Sequence, residues 1–239
     1  MADESTRHNF LVTATLAVVC SLLVSVVAIG LSDRKEANRE LDRKQKILAV
    51  AGLYDPAVPV AEAFATIETR VVDVETGEFV EDDAVPEDYD QRLALSSPNL
   101  SVPVPAEEDI AGLSRKEKYS YVYLVKDGDR LEQVILPIRG QGLFSTLYAY
   151  LSLDADLETV HGITFYEHGE TAGLGAEVEN PTWTAKWPEK RMFGEDGSVK
   201  LAVVKGVVDP ASPNADYEVD GLSGATMTSN GVTRLVQYW

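Results

Sequence analysis

Between residues 220 and 229 the chain reads Asp-Gly-Leu-Ser-Gly-Ala-Thr-Met-Thr-Ser, a run of small and hydroxylated residues leading into an apolar C-terminal helix candidate. Such a loop suits an anion. Gly221 and Gly224 permit backbone angles and a close ligand approach that a Cβ would obstruct. The amides that open the following helix face a negative group with the helix dipole behind them. The chemistry this predicts is phosphate binding. An ordinary turn and helix N-cap draws on the same residue types, so Ser223-Gly224-Ala225-Thr226 does not decide the matter alone.

Two further stretches belong with it: His168-Gly169-Glu170-Thr171-Ala172-Gly173-Leu174-Gly175 and Gly140-Gln141-Gly142-Leu143-Phe144. In this order along the chain, the three segments resemble the FMN-binding domain family, which carries FMN as a phosphoester on the threonine of a Ser-Gly-Ala-Thr motif preceded by Asp. Phe144 stands where that family usually has Trp. With Thr164-Phe165-Tyr166-Glu167, Trp183, Trp187 and one N-terminal apolar span, the resemblance extends to the C subunits of the sodium-pumping NADH:quinone oxidoreductases. It covers residues 10–55 and 119–239, and residues 56–118 add little.

The resemblance implies a covalent FMN with Thr226 as acceptor, and with Ser223, Gly224 and Ala225 crowding the phosphate. Thr228 is the rival acceptor. Leu143 and Leu174 would pack on the isoalloxazine faces, Gly173 and Gly175 would let the backbone reach the ring edge, and Glu170 and Thr171 would contact the ring or its loop. Asp220 would organise the loop through backbone amides or serve as the recognition point for the flavin transferase. His168 reads as a structural hydrogen-bonding residue, with proton transfer as the other role open to it.

No residue of this chain is then catalytic by itself. The implied function is an anchored electron carrier within a multisubunit NADH:ubiquinone oxidoreductase, a hetero-oligomer that pumps sodium. The alternatives are the G-type subunit of the Rnf complex, with the same FMN linkage, and a cofactor-free membrane-tethered binding module.

Residues 10–31 hold no charged side chain, a run of 22 that suffices as a helix to cross a hydrocarbon core of about 30 Å. A signal peptide has an apolar region of only about 7–15 residues; this longer run reads as a transmembrane helix behind a short tail, residues 1–9. Residues 32–55 continue as a helical stalk, with no proline until Pro56. Six basic residues (Arg34, Lys35, Arg39, Arg43, Lys44 and Lys46) follow the span against Arg7 alone before it. The positive-inside rule would therefore keep the large domain in the cytoplasm. The resemblance implies the periplasmic side of a bacterial inner membrane, with a single pass, and the expectation follows it.

Residues 56–118 are proline-rich connecting structure of the soluble domain, with a hairpin over residues 71–80 and the acidic stretch Glu81-Asp82-Asp83 as a solvated face. Residues 119–239 form the FMN-binding domain. Alternating apolar residues predict a hairpin from residues 119–125 and 131–138, a second pair from 147–153 and 158–166, and a further strand over 200–208. The fold class is α+β: a twisted antiparallel sheet with a few helices.

The chain carries a formal charge of −18, which disfavours nucleic acid as a partner. Cys20 is the single cysteine and lies in the apolar span, and the three histidines are scattered, so no intrachain disulfide and no metal site is expected. Cys20 is a small apolar residue of the span or a contact shared with a partner subunit. Gly140-Gln141-Gly142 lacks the third glycine and the βαβ setting of a dinucleotide fold.

Overall fold

The computed structural model describes residues 2–81, 85–86 and 89–239; Asp82 and Asp83 of the acidic stretch lie outside them. The chain divides into two compact units, Met1–Arg43 and Lys44–Trp239.

The first unit is helical. Helix α1 spans Ala2–Gly30, and its segment Thr6–Gly30 is long and apolar enough to cross a membrane by length and composition. The ladder continues with little interruption, because Leu31 N bonds to Val27 O at 3.1 Å and Lys35 N bonds to Leu31 O at 3.0 Å. Helix α2, Ser32–Val50, follows. It ends where Gly52, at φ +69°, takes the left-handed conformation, while Leu53 N reaches back to Leu48 O at 2.9 Å. That is a glycine C-cap of the Schellman kind, and it ends α2 at Val50, short of the residue 55 expected from the sequence.

In the second unit a six-stranded sheet has the order β2-β1-β5-β6-β7-β8, with every neighbouring pair antiparallel. The strands are β1 (Ile67–Asp73), β2 (Phe79–Val80), β5 (Tyr119–Asp127), β6 (Arg130–Gln141), β7 (Thr146–Asp154) and β8 (Val160–Glu167). Residues 56–118 thus supply two strands of the main sheet, and β1 pairs with β5 along its whole length, from Ile67 opposite Val125 to Asp73 opposite Tyr119.

Because side chains alternate along a strand, the sheet has two apolar faces. On one, Ile135, Tyr123 and Tyr150 pack with Ile47, Leu48, Val50 and Ala51 at the end of α2, and with Phe64 of α3 (Val60–Phe64). On the other, Ile138, Leu147, Ala149, Leu151, Ile163 and Phe165 meet Trp183, Trp187 and the inner side of the C-terminal helix. Helix α4 (Gln91–Ala94), N-capped by Asp90, is fixed to the end of β8 by a bidentate pair from Arg92 to Glu167 at 2.6 and 2.8 Å.

The expected strand over residues 200–208 shrinks to β9, Ala202–Val203, which pairs in parallel with β10, Glu218–Val219. Gly206, at φ +86°, bends the chain out of extended conformation. Beyond it, Val208 N turns to the Asp220 side chain instead of a neighbouring strand.

A small pair of strands, β3 (Ser101–Pro103) and β4 (Arg115–Glu117), lies at the margin. It is tied to the main sheet by a buried ion pair, Arg139 to Glu117 at 2.7 Å, with side chains 9% and 1% exposed. The Arg139 guanidinium also donates to Arg115 O, and the Glu117 carboxylate accepts from Gln91.

Candidate functional site

Helix α6, Thr226–Tyr238, begins directly after the small-residue loop. Its apolar stripe, Val232, Leu235 and Val236, is buried on the sheet. Glycines set how closely it seats: a Cβ on Gly231 would lie 2.7 Å from Gln141 O, and one on Gly140 would lie 2.8 Å from Leu235 Cβ. This packing brings the first turn of α6 beside the turn after β6.

No side chain caps that first turn, so the amides of an opening turn are left for a ligand or water. Gly224, at φ +71°, shapes the bend before it, and Ser229 Oγ accepts from Leu222 N at 3.1 Å to close the loop from behind. Thr226 is exposed, and its hydroxyl makes no hydrogen bond among the described residues. Thr228, two positions on, is 1% exposed and donates to Glu170 Oε2 at 2.6 Å. Ser223 and Gly224 are exposed, and Ala225 is buried.

Glu170 links the three segments. Its carboxylate is buried at 8% exposure; Oε1 accepts from Leu143 N and Phe144 N, both at 3.0 Å, while Oε2 takes the Thr228 hydroxyl. The slot is lined by glycine. A Cβ on Gly142 would lie 2.6 Å from Oε1, and one on Gly175 would lie 2.7 Å from Oε2 and 2.5 Å from Thr228 Oγ1. Beside it, Ser145 Oγ accepts from Gly169 N at 2.5 Å, and His168 Nδ1 accepts from Glu170 N at 3.2 Å, which leaves the imidazole proton on Nε2. That nitrogen is 3.2 Å from Glu179 Oε1 but in an orientation that makes no hydrogen bond.

Around this anchor the loops turn apolar side chains outward. Leu143 is 44%, Phe144 67%, Leu174 43% and Met227 54% exposed, and a Cβ on Gly224 would lie 3.0 Å from Leu174 Cδ2. Leu174 therefore stands directly against the small-residue loop. Thr171 and Gly173 are exposed; Thr171 O accepts from Leu174 N and Ala176 N, both at 3.1 Å, which shapes the turn.

Asp220 sits at the loop's entry. Its carboxylate accepts from Val208 N at 2.8 Å and from the Lys186 ammonium, and its carbonyl accepts from Trp183 Nε1 at 2.7 Å. Partial burial works against its ionisation, yet the Lys186 and Val208 bonds outweigh that and hold the carboxyl below the usual aspartate range. Its contacts are those of a loop organiser. Lys186, Ser145 and Ser229 are additions that the sequence did not single out. Ser145 directly follows the Gly-x-Gly-Leu-Phe segment, so its place was findable. Lys186 lies 34 residues from Asp220, and no local pattern connects them.

Residues 142–239 match the family model described as FMN-binding domain. Over 99% of its length the chain is 45% identical to the C subunit of the Na(+)-translocating NADH-quinone reductase of Pseudomonas aeruginosa, covering 92% of that relative. The chain belongs to the family of C subunits of the Na(+)-translocating NADH-quinone reductases. The corresponding C subunit of Vibrio vulnificus is 44% identical over 100% of the chain and 92% of its own length. Among solved structures, the crystal structure of Shewanella oneidensis NqrC superposes with a TM-score of 0.75 at 31% identity, covering 84% of this chain and 92% of that one. The fold of this family is thus the mixed helix and antiparallel-sheet arrangement described above.

Proposed function

We propose that the chain is the membrane-anchored flavoprotein subunit of a Na+-translocating NADH:ubiquinone oxidoreductase, holding FMN through a phosphoester to Thr226 and relaying electrons between cofactors of the complex. The observation that carries this reading is the exposed Thr226 hydroxyl at an uncapped helix N-terminus, set among loops that the buried Glu170 carboxylate draws together.

The residues present suit the cofactor. Small residues form the loop that leads to the acceptor threonine, and the neighbouring loops carry four exposed apolar side chains, Leu143, Phe144, Leu174 and Met227, that could cover a flat ring. Bound FMN supplies a carrier for one or two electrons. Thr226 fixes its phosphate, and the opening amides of α6 and the helix dipole favour the negative group there. Leu143 and Leu174 exclude water from the ring, one of the levers by which a protein tunes a flavin. Gly173, without a side chain, would leave room for the ring edge, and Thr171 would offer a hydroxyl to it. Ser223, Gly224 and Ala225 keep the phosphate pocket narrow. Gly175 and Glu170 act beneath the loop, on its shape.

In this reading residues 1–9 are a tail, 10–31 the span of the bacterial inner membrane, 32–55 the stalk, and the remainder a periplasmic domain in which 56–118 support the FMN-binding part, 119–239. The other subunits are its electron donor and acceptor, and a flavin transferase matures it. Peptide mass spectrometry of protein made with that transferase should find an FMN-sized adduct on Thr226. A colourless protein without adduct would favour the cofactor-free module. Isolation of the intact complex separates the reading from the Rnf-type subunit.

Two expected outcomes follow. Protease added to intact spheroplasts should digest the domain after Ser32; protection until the membrane is broken would place it in the cytoplasm, as the six basic residues indicate. Leu174→Ala should keep the adduct and, because the side chain is already 43% exposed, change stability by no more than about 0.5 kcal/mol. It should raise quenching of the bound flavin by iodide and move the midpoint potential. If both stay at wild-type values, Leu174 is not ring cover.

A further inference from the structure

Thr226 and Thr228 offer the same hydroxyl two residues apart, and something must decide between them. Two steps along an α-helix turn the side chain by about 200°, so the rotation of α6 about its own axis decides which one faces out. Packing of Val232, Leu235 and Val236 fixes the later turns; the opening turn is held by Thr228 Oγ1 donating to Glu170 Oε2. The same carboxylate holds Leu143 N and Phe144 N, so the loop after β6 and the opening turn of α6 are referred to the same point. Gly142 and Gly175 leave no room for a Cβ on either side of it, so the slot fits a side chain of glutamate's length reaching across to the helix.

We propose that Glu170 is the positioning residue that selects the flavinylation site: by capturing the Thr228 hydroxyl in a buried slot, it withdraws one threonine from reaction and leaves Thr226 turned outward. The inference rests on the assignment of Thr226 as acceptor and deepens it. FMN itself would have to expel hydroxide or water, so an activated phosphoryl donor is required, and a flavin dinucleotide has the right chemistry. The Thr226 oxygen bonds to the phosphorus of the FMN half, the hydroxyl proton is released, the phosphoanhydride P–O bond breaks and AMP leaves; no atom changes oxidation state. Glu170 touches none of these atoms and acts through Thr228 and two amides.

The test uses the full chain, and its first readout needs no flavin. In flavin-free Glu170→Ala, amide hydrogen exchange at Leu143 and Phe144 should lose its protection. In reaction with purified flavin transferase and FAD, modification of Thr226 should slow by up to about a hundredfold, the scale of rate loss when a reacting group is misplaced by about 1 Å, and peptide mass spectrometry should find adduct on Thr228. Glu170→Gln keeps an acceptor oxygen for both amides and should restore modification confined to Thr226 at close to the wild-type rate, a rescue that bulk destabilisation does not predict. Should Glu170→Ala not fold, Thr228→Val removes the hydroxyl at nearly constant volume and should slow Thr226 modification by itself. Wild-type rates at Thr226 in Glu170→Ala, or in Thr228→Val where that variant is used, overturn the proposal. A wild-type protein that accepts no flavin would instead defeat the assignment of Thr226, while unchanged exchange at Leu143 and Phe144 in Glu170→Ala would still overturn the clamp.

Discussion

Thr226→Ala is expected to remove all denaturation-resistant flavin from the protein while leaving its folding intact. The two halves of that result have separate physical origins. A phosphoester needs a hydroxyl, and alanine has none, so the loss at this position should be complete and not partial. Folding should survive because Thr226 is exposed and its hydroxyl has no hydrogen-bond partner to lose among the described residues; alanine is also the residue that helices favour most. The measurement is flavin fluorescence in a denaturing gel beside a thermal melt of the same sample. Residual covalent flavin on the Thr228 peptide would mean that the buried hydroxyl reaches the surface more often than its 1% exposure allows. Flavin at wild-type yield would remove Thr226 from the site altogether.

The largest stability effect is expected far from the loop, in Glu117→Ala. This substitution leaves the Arg139 guanidinium, 9% exposed, without the carboxylate it faces at 2.7 Å. Breaking a buried pair on one side costs about 3–5 kcal/mol, chiefly because a buried charge is left uncompensated. For a unit of this size each kcal/mol lowers the melting midpoint by about 2–4 °C, so a fall of roughly 10 °C is expected in a thermal scan. The effect should spread to the C-terminus, since Trp239 donates through Nε1 to Arg139 O at 2.8 Å, with the guanidinium 5.9 Å from its ring centroid. A double substitution to apolar residues, Glu117→Leu with Arg139→Met, should recover much of the loss, as replacement of whole buried pairs often does. A midpoint within about 2 °C of wild type for the single variant, an interval set by the lower end of that scale, would contradict the uncompensated-charge account.

What could be read from the sequence follows from the range of each interaction. The hairpins of β5 with β6 and β7 with β8 were legible because their alternation and their turns are both local. The apolar N-terminal helix was legible for the same reason, and so was the helix that follows it, which ends at Val50 instead of running to residue 55. The turn from β1 into β2 was legible as the hairpin over residues 71–80, but the start of β1 and its pairing with β5 were not, because that partner strand lies some fifty residues later. The strand expected over residues 200–208 failed at Gly206, whose positive φ no apolar count registers. In the site, the three loops could be found from their small residues, but their connection could not. Glu170 reads locally as a polar contact for a ligand; its partners lie 26 to 58 residues away, and only the fold shows that they occupy both its oxygens. Lys186 is the same case, since nothing near it in the chain announces Asp220.

The order of the strands also sets a sequence of events in time. From β5 to β8 each strand pairs with the one before it, so this part of the sheet can zip from short closures. Contacts distant along the chain come at a greater entropic cost and slow a folding reaction. The bond from Glu170 to Thr228 closes a loop of 58 residues, and it joins a helix that packs on β6. The surface around Thr226 is therefore expected among the last features a newly made molecule acquires. If Thr226 carries FMN as proposed, an enzyme that recognises that surface would sample only finished chains, and the covalent mark would double as a record that the domain has been assembled.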